Sequence, residues 1–429
     1  MRERSGRRRD REQELPSIHD AYTVRTVETV PLRRNRDFAL LQGGQLLSNF
    51  GTQSTQIAYP LLVLALTHSP AKAGFVAFAR ALPMWLFALP SGFLADRFSR
   101  KRLMIASDLM RAAAVATLGA LIVTHQVAFW NIPVVAFVEG AGAALFGGSS
   151  MAVMRAVVPR LQLPNAMSIF TARTAIVRLA GPPLGGVLFG FTPSLPFLTD
   201  AGSYAFSTGS LAAMRTPFEE EREREGTGMR TQIVEGVRFL WSNAFMRTVA
   251  LLFALTQIVF PGVQLALVVI GKRQGLTGGE IGGLVAAFGV ALLAGSAIAP
   301  WLRRRLPTRI VVVLEMLTWA GCALFLVWPS VYALTLSIIP TAIAIPTTDS
   351  VVWPYILSLT PDRLVGRTQA SISALTSGTA ALGPLIAGFL LANISARETI
   401  GVLAAFGITM AIWGTLSPAI RAAPSLAEI

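Results

Sequence analysis

The sequence predicts an all-α integral membrane protein of twelve transmembrane helices arranged as two six-helix repeats, and three observations carry that expectation. Of 429 residues, 53% are hydrophobic and 14% charged, with a mean hydropathy of +0.57, so the bilayer is the solvent to reason with. The apolar residues fall into twelve runs of about 20, the length that crosses a hydrocarbon core of about 30 Å. The basic residues gather in every second connection, which is how membrane topology is set.

The first 37 residues are Arg-rich and polar without an apolar core, so residues 1–37 read as a disordered basic cytoplasmic tail and not as a cleavable signal. Its bases suit anionic lipid headgroups. Six runs follow at 38–66, 72–95, 103–123, 128–152, 166–190 and 195–214, making an N-terminal half over residues 38–214. Residues 215–246 form a cytoplasmic linker. After a mixed-charge stretch, Ile233, Val237, Phe239, Leu240 and Trp241 recur at loose helical spacing, which predicts an amphipathic helix on the inner membrane surface. The C-terminal half, 247–420, holds runs at 247–270, 277–301, 309–328, 331–357, 369–392 and 397–419, and residues 421–429 form a second cytoplasmic tail.

On the side of the N-terminus the connections, tails and adjoining span ends hold 29 Lys and Arg, against 4 on the opposite side, Lys72, Lys272, Arg273 and Arg397. Both termini are therefore expected in the cytoplasm, with the chain in an inner or plasma membrane. The halves match weakly at an offset of 202 residues: Pro159 with Pro361, Gly181-Pro182 with Gly383-Pro384, Gly186 with Gly388 and Leu188 with Leu390. Parallel six-helix repeats around a midplane site are a transporter architecture.

Other classes fit poorly. A net charge of +14 does not indicate nucleic acid, because the bases lie in tails and short loops and not on one face of a soluble domain. Cys322 is the single cysteine and sits inside an apolar run, so no intrachain disulfide forms. His19, His68 and His125 lie in tail or loops, and neither a metal-spaced cluster nor a GxxxxGK[ST] loop is present. No metal, cofactor or ATP hydrolysis is expected.

Charges inside membrane spans are expensive and usually functional. They are Arg80 in the second run, Asp108 and Arg111 in the third, Glu139 in the fourth, Arg173 and Arg178 in the fifth, Asp200 in the sixth, Glu315 in the ninth and Asp349 in the tenth. Asp108 and Arg111, three apart on one helix face, read as a structural ion pair. Asp200 and Glu315, near span ends, read as interfacial. Gln45, Asn49, Gln53 and Gln56 recur at four, four and three, one polar stripe that must face protein or water. Gln257 and Gln264 add amides in the seventh run, and Trp353 and Tyr355 in the tenth suit a large amphiphilic ligand.

Gly92 to Arg102, GFLADRFSRKR, resembles the signature loop between the second and third helices of the major facilitator superfamily. The resemblance implies a gating loop of Gly92, Asp96, Arg97, Arg100 and Lys101, with Asp96 latching onto an Arg of the other half. Arg363 and Arg367 are the candidate latch partners. The second-half counterpart, Gly295 to Arg305, has Ala299 near the acid's position, so only one half carries the full latch. GPPLGG, with Gly181, Pro182, Gly185 and Gly186, matches the second part of that superfamily's antiporter signature. It implies close contact of the fifth and eighth helices and favours export, although Ser168 and Val177 stand near the places of the upstream glycines.

EGAGAA, Glu139 to Ala144, resembles a proton-antiporter motif ending in QGxGAA, with Glu139 replacing the amide and Ala136 where an Arg is expected. In the superfamily's fold, helices 1, 4, 7 and 10 line the cavity, which makes Glu139 and Asp349 the proton-coupling candidates. Arg80 and Arg178 are then counter-ions or hold an anionic substrate group, and Arg80, Asp108, Arg111 and Arg178 are all expected to be buried. FARALP (78–83), RLMIASDLMRA (102–112), VVPRLQLPNAMS (157–168) and EGVRFLW (235–241) are similar to the branch containing macrolide exporters and an enterobactin exporter. The resemblance implies a monomeric secondary transporter exchanging a hydrophobic or amphiphilic molecule, drug-, antibiotic- or siderophore-like, for protons. A metabolite uptake carrier of the same fold is the alternative, and an integral membrane enzyme is a second that no residue cluster supports.

Overall fold

The computed structural model describes residues 31–88, 90–216 and 229–421, and among these residues every regular element is a helix. Residues 1–30, most of the basic tail, the charged start of the linker and the tail from residue 422 lie outside the described residues. The N-terminal crossings are α1 (Arg36–Thr67), α2 (Pro70–Leu86) with α3 (Pro90–Arg97), α4 (Arg100–Val123), α5 (Asn131–Val157), α6 (Leu163–Phe191) and α7 (Leu195–Ala213). After α8 (Met229–Ser242) come α9 (Ala244–Arg273), α10 (Gly278–Arg305), α11 (Thr308–Thr318) continued through a 3-10 segment into α12 (Leu324–Val327), α13 (Val331–Leu359), α14 (Asp362–Asn393), α15 (Ala396–Leu416) and the short α16 (Pro418–Arg421).

Local chemistry sets many boundaries. Asn35 Oδ1 accepts from the Phe38 amide at 3.0 Å to open α1, and Asn243 does the same for α9 through Met246 at 3.1 Å. Thr277 with Glu280 and Ser395 with Glu398 form capping boxes on α10 and α15. Pro90 lacks the N–H that would continue the ladder, so the second crossing breaks into α2 and α3. The expected gating loop is therefore mostly helix: Gly92 and Asp96 lie on α3, Arg100 and Lys101 open α4, and only Phe98 and Ser99 link them.

Nine helical segments among the described residues are long and apolar enough to cross a membrane on composition alone. The α1 helix, the α2–α3 pair and α7 complete the twelve, with α1 and α7 pressing polar faces together inside the N-terminal half. In that half α1 packs on α6 and α7, and α4 on α5 and α7; in the other, α9 packs on α14 and α15, and α10 on α13.

The halves meet along two seams, α2 with α14 and α6 with α10. At the end remote from α8 these seams close to backbone contact. A Cβ on Gly74 would strike the Pro384 carbonyl, and one on Gly186 the Gly278 carbonyl, so glycine alone permits the approach. Gly186 and Pro182 thus serve the seam as expected, the Pro182 carbonyl lying against Gly282. Gly181 and Gly185 do not: they sit on another face of α6 and admit Gln53 and Ser54 of α1. At the opposite end α8 docks on the start of α14, with Leu240 buried, Gly236 against the Arg367 backbone and Glu235 ion-paired with Arg367.

Candidate functional site

Between the halves lies a cavity of about 770 Å³. Gln53, Gln56, Tyr59, Arg80, Glu139 and Arg178 line it from the N-terminal half, and Gln257, Gln264, Phe260, Phe288, Glu315, Trp319, Asp349 and Trp353 from the C-terminal half. A second pocket of about 360 Å³ shares Gln53, Ala143 and Arg178 with it and extends it along α1, α5 and α6 toward the α8 end. The α1 amide stripe runs through both: Gln53 and Gln56 in the first, Gln45, Asn49 and Gln53 in the second. Gln45 also donates to Ser207 Oγ at 3.2 Å.

On the N-terminal wall Arg80 grips one oxygen of Glu139, from Nη2 at 2.6 Å and Nε at 3.2 Å. Tyr59 donates its hydroxyl to the other oxygen at 2.8 Å, and Arg80 also reaches the Thr52 carbonyl at 3.3 Å. Glu139 is 1% exposed and the Arg80 side chain 19%, so the acid is almost wholly covered at the cavity wall while the base looks into the cavity. The network continues inward. Thr52 and Tyr204 hydroxyls lie 2.8 Å apart, Arg111 donates to Tyr204 at 2.6 Å and Thr52 at 3.1 Å, and Arg111 meets Asp108 at 3.4 Å. The expected Asp108–Arg111 pair forms, yet the shorter bond of Arg111 is to Tyr204.

Asp200 is not interfacial. It is fully buried, accepts from Thr55 at 3.0 Å and Ser203 at 3.1 Å, and faces α1 at Gly51, where a Cβ would collide with its carboxylate. Distance from a span end misjudged it. A better signal is present: Asp200, Ser203, Tyr204 and Ser207 form a polar helical stripe that complements Ser48, Gly51, Thr52 and Thr55 on α1. Glu315 is likewise buried and lines the cavity beside Thr348 and Asp349.

Asp349 is exposed to the cavity, next to Trp353, with Arg178 as the base that faces it from the other half. Arg178 is exposed and lines both pockets, which corrects its expected burial. The exposed end of a long side chain is solvated across a cavity that sequence periodicity does not reveal. Tyr355 is also displaced: it is buried edge-on against Phe245, with ring centroids 4.3 Å apart, and only Trp353 reaches the cavity.

The side chains of Gly92 and Asp96 lie outside the described ones. Arg97 and Arg363 are exposed and Arg100 is buried. Lys101 donates to the Ala212 carbonyl at 3.1 Å and the Met214 carbonyl at 2.6 Å, capping the negative end of α7. Arg367 is ion-paired with Glu235. Among the described residues no three His, Cys, Asp or Glu side chains converge as a metal site requires.

Apolar and aromatic walls with charges at two poles suit a ligand that is greasy along its length and polar at its ends. Residues 27–426 match the family described as transmembrane secretion effectors. The chain is 28% identical to the multidrug efflux pump Tap of Mycolicibacterium fortuitum over 48% of its length, a match spanning only about half, 52%, of that pump. With Tap of Mycobacterium tuberculosis H37Rv it shares 26% identity over 88% of this chain and 92% of the other. Macrolide efflux protein A of Streptococcus pyogenes is 26% identical over 35% and 38%. The crystal structure of a bacterial homologue of the lysosomal transporter Spinster, in an inward-facing and unoccupied conformation, superposes with a TM-score of 0.72, covering 91% of this chain and 98% of the other at 15% identity.

Proposed function

The chain belongs to the transmembrane secretion effector family of multi-pass transporters, with the major facilitator fold, and from that premise we propose that it exports a hydrophobic or amphiphilic small molecule by alternating access in exchange for protons. One observation carries the reading: a cavity walled by both halves, apolar over most of its lining, with ionisable groups on each wall. The likeness to Tap and to macrolide efflux protein A supports drug-like or antibiotic-like cargo.

The positive-inside count supports both termini, and hence the α8 end, in the cytoplasm of the plasma membrane. With the seams closed at the far end, the conformation is then inward-facing, ready to take cargo from the cytoplasm or inner leaflet. Rocking of the halves would open the opposite side. In this scheme Asp96 engages Arg363 or Arg367 to hold the outward-facing state, and Arg367 must exchange its Glu235 contact to do so.

For coupling, Asp349 is the stronger of the two candidate acids. It faces the cavity and Arg178, the base that acts on it, stands on the other half, whereas Glu139 is tied to Arg80 within its own half. The test is transport in inverted vesicles. An imposed pH gradient, acid on the side to which cargo is exported, should drive uphill accumulation of a fluorescent amphiphile in wild type. Accumulation that ignores the gradient would remove proton exchange, and its absence across a panel of dyes, antibiotics and siderophores would remove export.

A further inference from the structure

Arg173 on α6 is held unlike Arg80 and Arg111. It is 7% exposed, its Nη1 donates to Gln42 Oε1 at 2.7 Å, and the Phe170 ring lies 4.9 Å from the guanidinium carbon. Its Nε has no hydrogen-bond partner, nor does Gln42 Nε2. Arg80 and Arg111 each face a carboxylate; Arg173 pairs with no acid among the described residues. A guanidinium carries five donors and one positive charge, and burial without a counter-ion is costly unless something else supplies the charge.

The surroundings point to what supplies it. Arg173 lines the pocket of about 360 Å³ together with Arg111 and Arg178, and no carboxylate lines that pocket among the described residues. Gln42 adds an amide beside Arg173 and Asn49 another two turns along α1, while Phe146, Met151 and Met154 form an apolar wall. We propose that this pocket binds the oxyanion head of an amphiphile, a carboxylate or phosphate gripped by Arg173 with its apolar body against α5. The site would be the first station for cargo arriving from the cytoplasmic side. It rests on the exporter reading and narrows the cargo to amphiphiles carrying a negative charge.

The test is binding by the purified full chain in phosphatidylcholine nanodiscs, read by calorimetry with protein-free discs subtracted. Wild type should bind dodecanoate at least tenfold tighter than dodecyltrimethylammonium. Arg173→Gln should lose about tenfold or more in dodecanoate affinity, the scale of a charge-assisted hydrogen bond, and Arg173→Lys should lose less. Gln42→Glu, which sets a carboxylate against the intact guanidinium, should block binding and serves if Arg173→Gln folds poorly. Equal affinity of wild type and Arg173→Gln, or equal affinity for anion and cation, overturns the proposal.

Two further arms separate sources of the anion. If phosphatidylglycerol discs weaken dodecanoate binding to wild type but not to Arg173→Gln, a lipid headgroup occupies the site; if inorganic phosphate competes instead, a free oxyanion does. Either outcome supports an anion site. Vesicle export is measured in parallel. Arg173-dependent binding without export sinks the exporter reading and leaves the site, whereas export with Arg173-independent binding does the reverse.

Discussion

Replacing Glu139 by Gln with Arg80 in place should destabilise the protein by about 3 kcal/mol. The magnitude follows from the site. Glu139 accepts three hydrogen bonds, two from Arg80 at 2.6 and 3.2 Å and one from Tyr59 at 2.8 Å, and is 1% exposed. Removing one member of a buried pair costs about 3–5 kcal/mol, because the other charge is left uncompensated. Arg80 keeps 19% of its side chain open to the cavity and is partly rehydrated there, which puts Glu139→Gln at the low end. Arg80→Gln strands a buried carboxylate and should cost about 4 kcal/mol. The double variant replaces both charges by amides that can bond each other, and should cost no more than about 1 kcal/mol. The assay is denaturation in detergent micelles at neutral pH, followed by tryptophan fluorescence. If the two single costs add to the double within about 0.5 kcal/mol, the charges are not coupled in the native protein and the reasoning fails.

Two other predictions rest on different parts of the molecule. Gly186→Leu would force a side chain against the Gly278 carbonyl and hold the α6–α10 seam open. Thiol labelling at an Ala286→Cys position, buried on α10 between Gly282 and Gly289, which face α6, should speed up several-fold with Cys322 replaced, and unchanged labelling would mean the seam does not close there. Asp37, in the first turn of α1 and ahead of the apolar run that starts at Phe38, accepts from the Arg215 amide at 3.0 Å and from the Thr216 amide and hydroxyl at 2.7 and 2.5 Å. Burial pushes its proton affinity up, but the Thr216 and Arg215 hydrogen bonds outweigh that and hold it below the ordinary carboxylate value. A lowered folded value means stabilisation that is complete above the ordinary value, about pH 4, and lost as pH falls through the folded one. Asp37→Asn should therefore cost about 1–3 kcal/mol at pH 7, a gap that narrows below pH 4; a pH-independent gap would show that charge is not its source.

What was legible in the chain depended on how local the signal is. Twelve crossings follow from runs of apolar residues and from charge asymmetry, both sums over neighbouring positions. The α1 amides were legible for the same reason: spacings of four, four and three define one face without reference to any other helix. Pairings were not. Arg80 and Glu139 are 59 residues apart, and nothing in either run names the other. Two misreadings could have been avoided from helix geometry, since residues two apart point about 200° away from each other. Trp353 and Tyr355 could not both face one cavity. In GPPLGG, Gly181 and Gly185 share a face and Gly186 does not, so one motif serves two interfaces. Asp200 needed the surface of α1 to be read beside its own, because depth in a folded bundle is set by what covers a residue and not by its distance from a helix end.

The two acids once equal as coupling candidates become unequal when the moving parts are considered. Glu139, Arg80 and Tyr59 all ride on the N-terminal half, so the proposed rigid rocking would leave their contacts unchanged. Asp349 on α13 and Arg178 on α6 belong to different halves, and under the proposed rocking their separation would change with each cycle. At an effective dielectric of about 20, drawing any two unit charges from about 6 Å to about 12 Å apart weakens their interaction by about 1.4 kcal/mol, the scale of a tenfold change in an ionisation equilibrium. Glu315 lines the same wall of the cavity beside Asp349. Asp349→Asn should therefore abolish the response of export to an imposed pH gradient, and Arg178→Gln should blunt it, while downhill transport of the same dye persists in both. Glu139→Gln should lower the amount of folded protein without removing the response. Gradient-driven export by Asp349→Asn, or its loss in Glu139→Gln at equal folded protein, would return the proton to the N-terminal wall.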